Sequence, residues 1–127
     1  DIIAGFPTET EEMFENSLAI VDEAGLSWLH VFPFSPRQGT PAARMPQLPR
    51  EEVKARAARL RAKGAAAEAA LLKGLIGRTE DAILESGGRA RLGNFAPVRV
   101  TAPGQVGDIL KLRITGLEDG VLTGAPA

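Results

Sequence analysis

Residues 1–10 read DIIAGFPTET and carry, within one short stretch, the marks of a strand, a turn and a helix start. The apolar run Ile2-Ile3-Ala4 ends at Gly5-Phe6-Pro7, a pattern typical of a strand that enters a turn. Thr8 and Glu11 have the spacing of a capping box, in which each side chain bonds a free backbone N–H at a helix start. We therefore expect a helix to begin directly after the turn.

The next residues complete a βαβ unit. Phe14, Leu18 and Val21 recur at helical spacing, and Gly25 supplies a stop. Residues 27–34 (SWLHVFPF) are rich in aromatic and β-branched types and predict a second strand, parallel to the first and buried on both faces. Two strands bury too little surface to stand alone, so we expect further strands before Asp1 and self-association through exposed strand edges.

The middle of the chain predicts a connector and a long helix. Residues 35–49 contain four prolines and are expected to form an irregular, extended connector. Residues 50–75 consist mostly of helix-forming types, and their apolar positions fall on one stripe. Gly64 lies on that stripe and could kink or divide the helix. The other stripe positions are Val53, Ala57, Leu60, Ala67 and Leu71.

From Gly77 onwards the apolar pattern changes to a period of two, which is typical of strands. Short candidate strands separated by glycine-containing turns predict a small, OB-like, five-stranded antiparallel barrel. In one of them Leu110, Leu112 and Ile114 should point inwards while Lys111 and Arg113 point outwards. The candidate strands are residues 79–85, 89–92, 97–101, 108–115 and 120–124.

Composition excludes several kinds of chemistry and shows a segregation of charge. The chain has no cysteine, which excludes disulfides, thiolate catalysis and cysteine-bound metal, and it has one histidine, too few for a zinc site. No apolar run is long enough for a membrane span, and we expect a cytoplasmic protein without a membrane partner. Residues 1–36 carry seven acids and no Lys or Arg, whereas residues 37–63 carry eight bases and two acids. The basic segment could bind a polyanion or form a solvated helix face.

Three stretches of the sequence resemble one enzyme family. DIIAGFPTETEEMFENSL resembles the fifth-strand motif of radical S-adenosylmethionine (SAM) enzymes. HVFPFSPRQGTPAARM resembles the sixth-strand region of the radical SAM methylthiotransferases that modify tRNA. NFAPVRV, residues 94–100, is similar to part of their C-terminal TRAM domain. His30 in HVFPFS and the NFAPVRV stretch resemble the threonylcarbamoyladenosine branch of the family most.

The resemblance implies the C-terminal part of such an enzyme, of class α/β + β. Residues 1–48 would end a partial, TIM-like radical SAM barrel, residues 49–75 would form a linker helix, and residues 76–127 would form the RNA-binding TRAM barrel. The complete enzyme would use SAM and two 4Fe–4S clusters to add a methylthio group to N6-threonylcarbamoyladenosine beside the tRNA anticodon. Without cluster cysteines the present residues would be inactive alone, and we assign none of them a catalytic or metal-binding role.

The resemblance also implies a SAM-binding wall at the first turn and the end of the second strand. Gly5 would let the backbone approach the adenine, and Glu9 would either brace the turn or contact the cofactor. Thr8 stands where the family usually has glycine, and it is strained if its φ is positive. We expect Trp28, His30 and Phe34 to be core residues. The residues implied for SAM binding are Ile3, Gly5, Phe6, Glu9, Phe32 and Pro33.

The barrel is the segment implied to bind tRNA, through a basic sheet face. Phe95 could stack on a base or plug the barrel. The implied RNA-binding residues are Arg89, Arg91, Phe95, Arg99, Lys111 and Arg113. One alternative is a stand-alone RNA-binding module without catalytic activity, in which the βαβ piece is an adaptor. Another is a different radical SAM branch that does not act on RNA.

Overall fold

The computed structural model describes every residue from Asp1 to Ala127 and divides into two compact units, Asp1–Glu68 and Ala69–Ala127. One long helix contributes residues to both units, so the division into segments 1–48, 49–75 and 76–127 stays a prediction. No helix combines the length and the apolar content that crossing a membrane requires.

The first unit contains the expected βαβ arrangement. Strands β1 and β2 pair in parallel, with Ile2 opposite Val31 and Ala4 opposite Pro33. Helix α1 joins them, and the start of α2 follows the proline-containing connector, which includes one short 3-10 turn. The elements are β1 (Ile2–Ala4), α1 (Glu11–Glu23), β2 (Val31–Pro33), the 3-10 turn (Ala42–Arg44) and α2 (Arg50–Leu75).

The core of the first unit lies where both helices meet β1. Phe14 of α1 and Ala57 and Leu60 of α2 are buried against Ala4, and Leu18 packs beside them. The predicted apolar stripe of α2 is therefore confirmed over its first three positions, because Val53 is buried as well. Burying large aliphatic and aromatic side chains contributes about 1.5–3 kcal/mol each, so this small cluster is the main apolar support of the sheet.

The second strand differs from the prediction in length and in burial. Only Val31–Pro33 is strand, and Phe32 and Pro33 are exposed, because β2 pairs with β1 alone and no further strand covers it. The expected core positions of Trp28 and His30 are wrong: Trp28 is 40% exposed, and His30 is exposed with its Nδ1 3.3 Å from an Asp1 carboxylate oxygen. Both residues precede the strand in an irregular segment. Phe34 is half-buried and meets Phe6 edge to face.

Helix α1 begins later than the capping-box pattern predicts. Thr10 is the N-cap, and its hydroxyl accepts a hydrogen bond from the Met13 N–H at 3.2 Å. Thr8 instead belongs to the preceding turn, which is closed by a 2.9 Å hydrogen bond from the Glu9 N–H to the Phe6 carbonyl. Thr8 and Glu9 are therefore part of the turn, and the helix begins only after Thr10.

Gly64 does not divide α2, which runs without interruption from Arg50 to Leu75. A Cβ on Gly64 would lie 2.9 Å from Cδ1 and 3.1 Å from Cβ of Leu29. Glycine is therefore found here because Leu29 packs directly on the helix backbone. Gly74 lies in the same helix and has open space at the corresponding position.

The second unit is the predicted OB-like barrel of five strands, closed in the order β3-β4-β5-β7-β6. Four of the pairs are antiparallel, and the β5–β7 pair is parallel. Leu112 and Ile114 point into the core while Lys111 and Arg113 are exposed, as the alternation predicts. The strands are β3 (Thr79–Glu85), β4 (Arg89–Leu92), β5 (Pro97–Val100), β6 (Ile109–Glu118) and β7 (Val121–Pro126).

The two glycines of α2 give a matched test of this packing. In an exposed helix interior, Gly→Ala stabilises by about 1 kcal/mol, so we expect Gly74→Ala to raise the free energy of unfolding by up to that amount. Gly64→Ala should give no such gain, because the new methyl group overlaps Leu29. Urea unfolding followed by the far-ultraviolet helix signal measures both. An equal gain from the two substitutions would show that Leu29 does not pack against Gly64.

Candidate cofactor site and nucleic-acid interface

The turn between β1 and α1 is held by Glu9. The Gly5 N–H donates to Glu9 Oε1 at 3.1 Å, so the side chain of Glu9 closes the turn across its own backbone. Arg56 of α2 donates from Nη1 to the same oxygen at 2.9 Å and to the Glu9 carbonyl at 2.8 Å. Of the two roles considered for Glu9, bracing the turn is the one that these contacts describe.

Arg56 is a buried cation, only 3% exposed, and carboxylates surround it. Besides Glu9, its guanidinium lies 2.6 Å from Glu52 Oε1 and 3.5 Å from Glu11 Oε2, and it stacks over the Phe14 ring with 5.5 Å between Cζ and the ring centroid. The Nε atom has no hydrogen-bond partner. A guanidinium cannot lose its charge in a protein, so this burial depends on the carboxylates that face it.

The same pairing accounts for much of the charge segregation in the sequence. Arg59 lies 2.7 Å from Glu11 and 2.6 Å from Glu15, and Lys63 contacts Asp22. The hydrogen bond from Arg59 holds the pKa of the Glu11 carboxyl below its ordinary value. These bases of α2 therefore neutralise the acids of α1 inside the first unit. A polyanion would meet the remaining exposed bases of the middle segment, which are Arg37, Arg44, Arg50, Lys54 and Arg61.

Gly5 and Thr8 both have left-handed backbone conformations. Gly5 has φ +80°, and a Cβ there would lie 2.7 Å from Cγ1 of Val53. The space left by its missing side chain is thus taken by α2, while a role of Gly5 in cofactor binding stays a prediction. Thr8 has φ 75°, the strained conformation anticipated for a β-branched residue at this position.

Three of the residues implied for SAM binding lie together at one end of the sheet. Ile3 and Phe32 are directly opposite each other across β1 and β2, and both are exposed. With Pro33 they line a cleft of about 470 Å³. Phe6 does not line this cleft, but its ring packs edge to face against Phe34, which does. Gly5 and Glu9 face α2 rather than the cleft walls.

The connector contributes cleft residues that sequence reasoning missed. Arg37, Thr40 and Ala42 line the cleft that contains Ile3 and Phe32. A second cleft, also of about 470 Å³, lies between the end of β2 and the first turn of α2, where Arg50 and Lys54 bring two cations to an apolar floor. The prolines of residues 35–49 predict a spacer, and no local signal shows that the spacer folds back on the strand.

Neither unit offers a site for an iron–sulfur cluster. The chain has no cysteine, and no group of three or more His, Asp or Glu side chains is placed to hold a metal ion. The residues present therefore do not fit a 4Fe–4S cluster, which thiolates bind.

The barrel brings three of the predicted RNA-binding arginines onto one face. Arg89 is directly opposite Arg99 across β4 and β5, and Arg91 is on the same outer surface of β4. Lys111 and Arg113 lie on β6, and β3 separates them from the arginines of β4. On one side of the barrel, β3 places Asp81 and Glu85 between the two groups. On the other side only β7 lies between them, with Thr123 opposite Arg99 and Ala125 opposite Arg113.

The cations of the barrel differ in how closely they are paired with acids or carbonyl groups of the same chain. Arg91 binds Glu85 at 2.7 Å, and this hydrogen bond lowers the pKa of the Glu85 carboxyl while raising the pKa of Arg91. Lys111 lies 2.9 Å from Asp81. Arg99 is 3.5 Å from Glu118, a loose contact, and Arg89 donates to the Ser86 carbonyl at 3.4 Å. Arg89 and Arg99 are thus the cations of this face with the weakest internal partners.

Phe95 does not plug the barrel, because it is 74% exposed at the tip of the turn between β4 and β5. Its φ is 70°, and neighbouring side chains hold the turn. Arg91 donates to the Phe95 carbonyl at 3.0 Å, and Asn94 accepts from the Ala96 N–H at 3.0 Å. Ala96, which is fully buried, occupies the barrel interior instead.

Sequence comparison finds relatives among enzymes that act on tRNA. The chain is 46% identical over 122 residues to the threonylcarbamoyladenosine tRNA methylthiotransferase of Rickettsia prowazekii. The aligned region covers 96% of this chain and 29% of that protein. It is 40% identical over 131 aligned residues to the tRNA-2-methylthio-N(6)-dimethylallyladenosine synthase of Corynebacterium urealyticum (91% of this chain, 24% of that protein). The synthase of the same description from Cereibacter sphaeroides is 36% identical over 131 residues (98% and 30%). The chain thus spans less than a third of these relatives, and no family model matches it.

Replacing Arg56 should unfold the first unit far more readily than replacing Arg59. Arg56→Met keeps an apolar stem but leaves Glu9 buried without its cation, and breaking such a pair costs about 3–5 kcal/mol. Arg59→Met removes two partly exposed ion pairs, with Glu11 and Glu15, and a contact over the Phe14 ring, and should cost much less than loss of the buried cation. Urea unfolding followed by Trp28 fluorescence reports on the first unit. Equal losses would mean that Arg56 does not support the turn.

Relief of strain at Thr8 should be measurable as well. The left-handed conformation of Thr8 costs about 1–2 kcal/mol, and Thr8→Gly removes that cost. Glycine also gives the unfolded chain more conformational freedom, so we expect a net gain of about 0.5–1 kcal/mol in the free energy of unfolding. The control is Thr10→Gly, which alters an extended N-cap residue and should give no gain. A loss of stability in Thr8→Gly, measured by the same urea titration, would contradict the strained conformation.

Proposed function

We propose that this chain, which belongs to the radical SAM tRNA methylthiotransferase family, supplies such an enzyme with a tRNA-binding barrel and one wall of the SAM site. The observation that carries this proposal is the 46% identity over 96% of the chain, because a match of that extent includes residues of both units. The segment would correspond to the C-terminal part of the enzyme.

We infer that the complete enzyme adds a methylthio group to N6-threonylcarbamoyladenosine beside the tRNA anticodon, in the cytoplasm. The support is the name of the Rickettsia relative, which is more similar to this chain than the dimethylallyladenosine synthases described above. SAM and two 4Fe–4S clusters would supply the radical and the methyl group. The cluster ligands would come from residues outside this chain, so the chain alone is expected to be inactive.

For SAM, the chain would contribute an apolar surface and a rigid turn. Ile3, Phe32 and Pro33 present exposed apolar side chains at the end of parallel strands, where ligands of α/β barrels bind. A flat adenine ring fits a surface of this kind. Gly5 and Glu9 would act by holding the turn in place through Arg56, and Phe6 would close the edge against Phe34.

For tRNA, the outer surface of β4 and β5 is the part of the barrel that we assign to binding. These are the second and third strands of the barrel, the surface that OB-folds use for oligonucleotides. Arg89 and Arg99 lie opposite each other there, and like charges in that arrangement repel until an anion lies between them. Lys111 and Arg113 on β6 would extend the contact to the phosphates of the same RNA.

A stand-alone RNA-binding module remains the alternative function. It would use the barrel alone, and its βαβ piece would have no reason to resemble an enzyme. The extent of the similarity favours the enzyme segment. Self-association through the unpaired edge of β1 is also proposed for the isolated chain, and sedimentation analysis would test it.

The chain should bind tRNA with an affinity that falls as salt rises, because phosphate contacts release counterions. Arg89→Gln and Arg99→Gln should each weaken binding for all RNA sequences and reduce the slope of log affinity against log salt by about one. Arg78→Gln is the control, since Arg78 lies outside the strands and pairs with Glu80. Fluorescence anisotropy with labelled tRNA measures all three. Unchanged affinity in both β4–β5 variants would remove this face from the proposal.

A further inference from the structure

Two parallel rows of side chains cross the outer surface of the barrel. In the first, which we call the apolar row, Ile109 of β6 is opposite Ile83 of β3, Ile83 is opposite Arg91 of β4, and Arg91 is opposite Pro97 of β5. The second row, which we call the cationic row, places Arg89 of β4 opposite Arg99 of β5, with Glu85 of β3 on the other side of Arg89. Each cationic-row residue is two positions along its strand from the apolar row, a separation of about 6–7 Å.

The apolar row exposes more hydrophobic surface than a solvated barrel face requires. Ile109 is 71% exposed and Ile83 is 50% exposed, although they lie side by side on neighbouring strands. Phe95 lies beside the row, two residues before Pro97 in the β4–β5 turn and on the side away from Arg99. Contiguous exposed apolar groups of this kind mark a binding surface.

Arg91 is a member of the apolar row that can offer a flat, neutralised surface for stacking. Its guanidinium donates to both carboxylate oxygens of Glu85, at 2.7 and 3.2 Å, and to the Phe95 carbonyl at 3.0 Å. These bonds hold the planar group in place and neutralise its charge. Unpaired RNA bases stack on arginine planes as they do on aromatic rings.

The cationic row lies beside these stacking groups and is suited to phosphate. Arg89 and Arg99 repel each other as cross-strand neighbours, and their internal partners are distant, at 3.4 and 3.5 Å. A ligand that places anions on one row and flat apolar rings on the next has the chemistry of a nucleic acid strand with unpaired bases.

We propose that this face binds single-stranded RNA, with phosphates on the cationic row and unpaired bases on the apolar row. The inference rests on the proposed RNA-binding function and adds that the RNA is bound as unpaired nucleotides. A duplex would leave the apolar row without base contacts, because its bases are stacked inside the helix and unable to reach Ile83 or Ile109. An apolar protein surface would cover the isoleucines but would leave the facing arginines without anions.

The test compares an unstructured RNA oligonucleotide with a duplex of the same sequence, each fluorescently labelled and titrated with the whole chain. We expect tighter binding of the single strand. Phe95→Asn, which tolerates the left-handed backbone, should weaken single-strand binding by about fivefold or more, the loss expected for one stacked base. The double variant Ile83→Thr/Ile109→Thr should weaken it about as much. None of these substitutions should alter the slope of log affinity against log salt.

Ile76→Thr is the matched control, because Ile76 is also exposed but lies outside both rows. Its RNA affinity should match that of the unaltered chain, and circular dichroism establishes that every variant is folded. Unchanged single-strand affinity in both row variants, with a loss in Arg99→Gln, would overturn the proposal while leaving phosphate binding intact. If the double variant instead lowers the sedimentation coefficient without changing RNA affinity, the row is a protein contact and the proposal fails. Absence of any RNA binding would overturn this proposal and the proposed tRNA function together.

Discussion

The buried guanidinium of Arg56 is the interaction on which the first unit depends. A two-stranded parallel sheet has too few backbone partners and too little buried surface to persist alone. Arg56 reaches from α2 to the backbone and side chain of Glu9, and Glu9 in turn binds the Gly5 N–H at the end of β1. The turn, both helices and the sheet are thereby joined at one charged point. Val53 fits against Gly5 in the same region, so the packing and the ion pairs act together.

The turn would be both a structural element and a candidate cofactor wall, and this limits how its residues can vary. Glycine at position 5 is required by a positive φ and by Val53 before any ligand is considered. The Glu9 carboxylate already accepts hydrogen bonds from the Gly5 N–H and from Arg56. The side chains that are free to meet a ligand are those of the strand ends, Ile3 and Phe32, whose exposure no contact within this chain explains.

Local patterns predicted the elements that local forces determine. The alternation of Leu112 and Ile114 with Lys111 and Arg113 placed β6 correctly, and the composition of residues 50–75 gave the bounds of α2. The predicted start of α1 was wrong because a hydrogen bond from the Glu9 N–H to the Phe6 carbonyl extends the turn, and the helix is capped by Thr10 instead of Thr8. The burial of β2 was wrong because burial depends on neighbouring strands, which a strand's own residues do not specify.

Longer-range features of the candidate sites were beyond the sequence. The pairing of Arg56 with Glu9 joins residues 47 positions apart, so the basic segment looked available for a polyanion. Arginines on β4 and β5 were predicted as a group, but the intervening acids of β3 were not. In β3 the run Ala82-Ile83-Leu84 is apolar throughout, so nothing in it showed that Ile83 points outwards beside Ile109.

RNA binding by this chain is assigned above to the barrel, through β4 and β5. Amide chemical-shift mapping of the isotope-labelled chain, titrated with an RNA stem-loop, tests it most directly. We expect the largest shifts in residues 89–100, centred on Arg89, Phe95 and Arg99, with further shifts at Ile83 and Ile109. Shifts confined to residues 1–68, or no shifts in the barrel at saturating RNA, would contradict it.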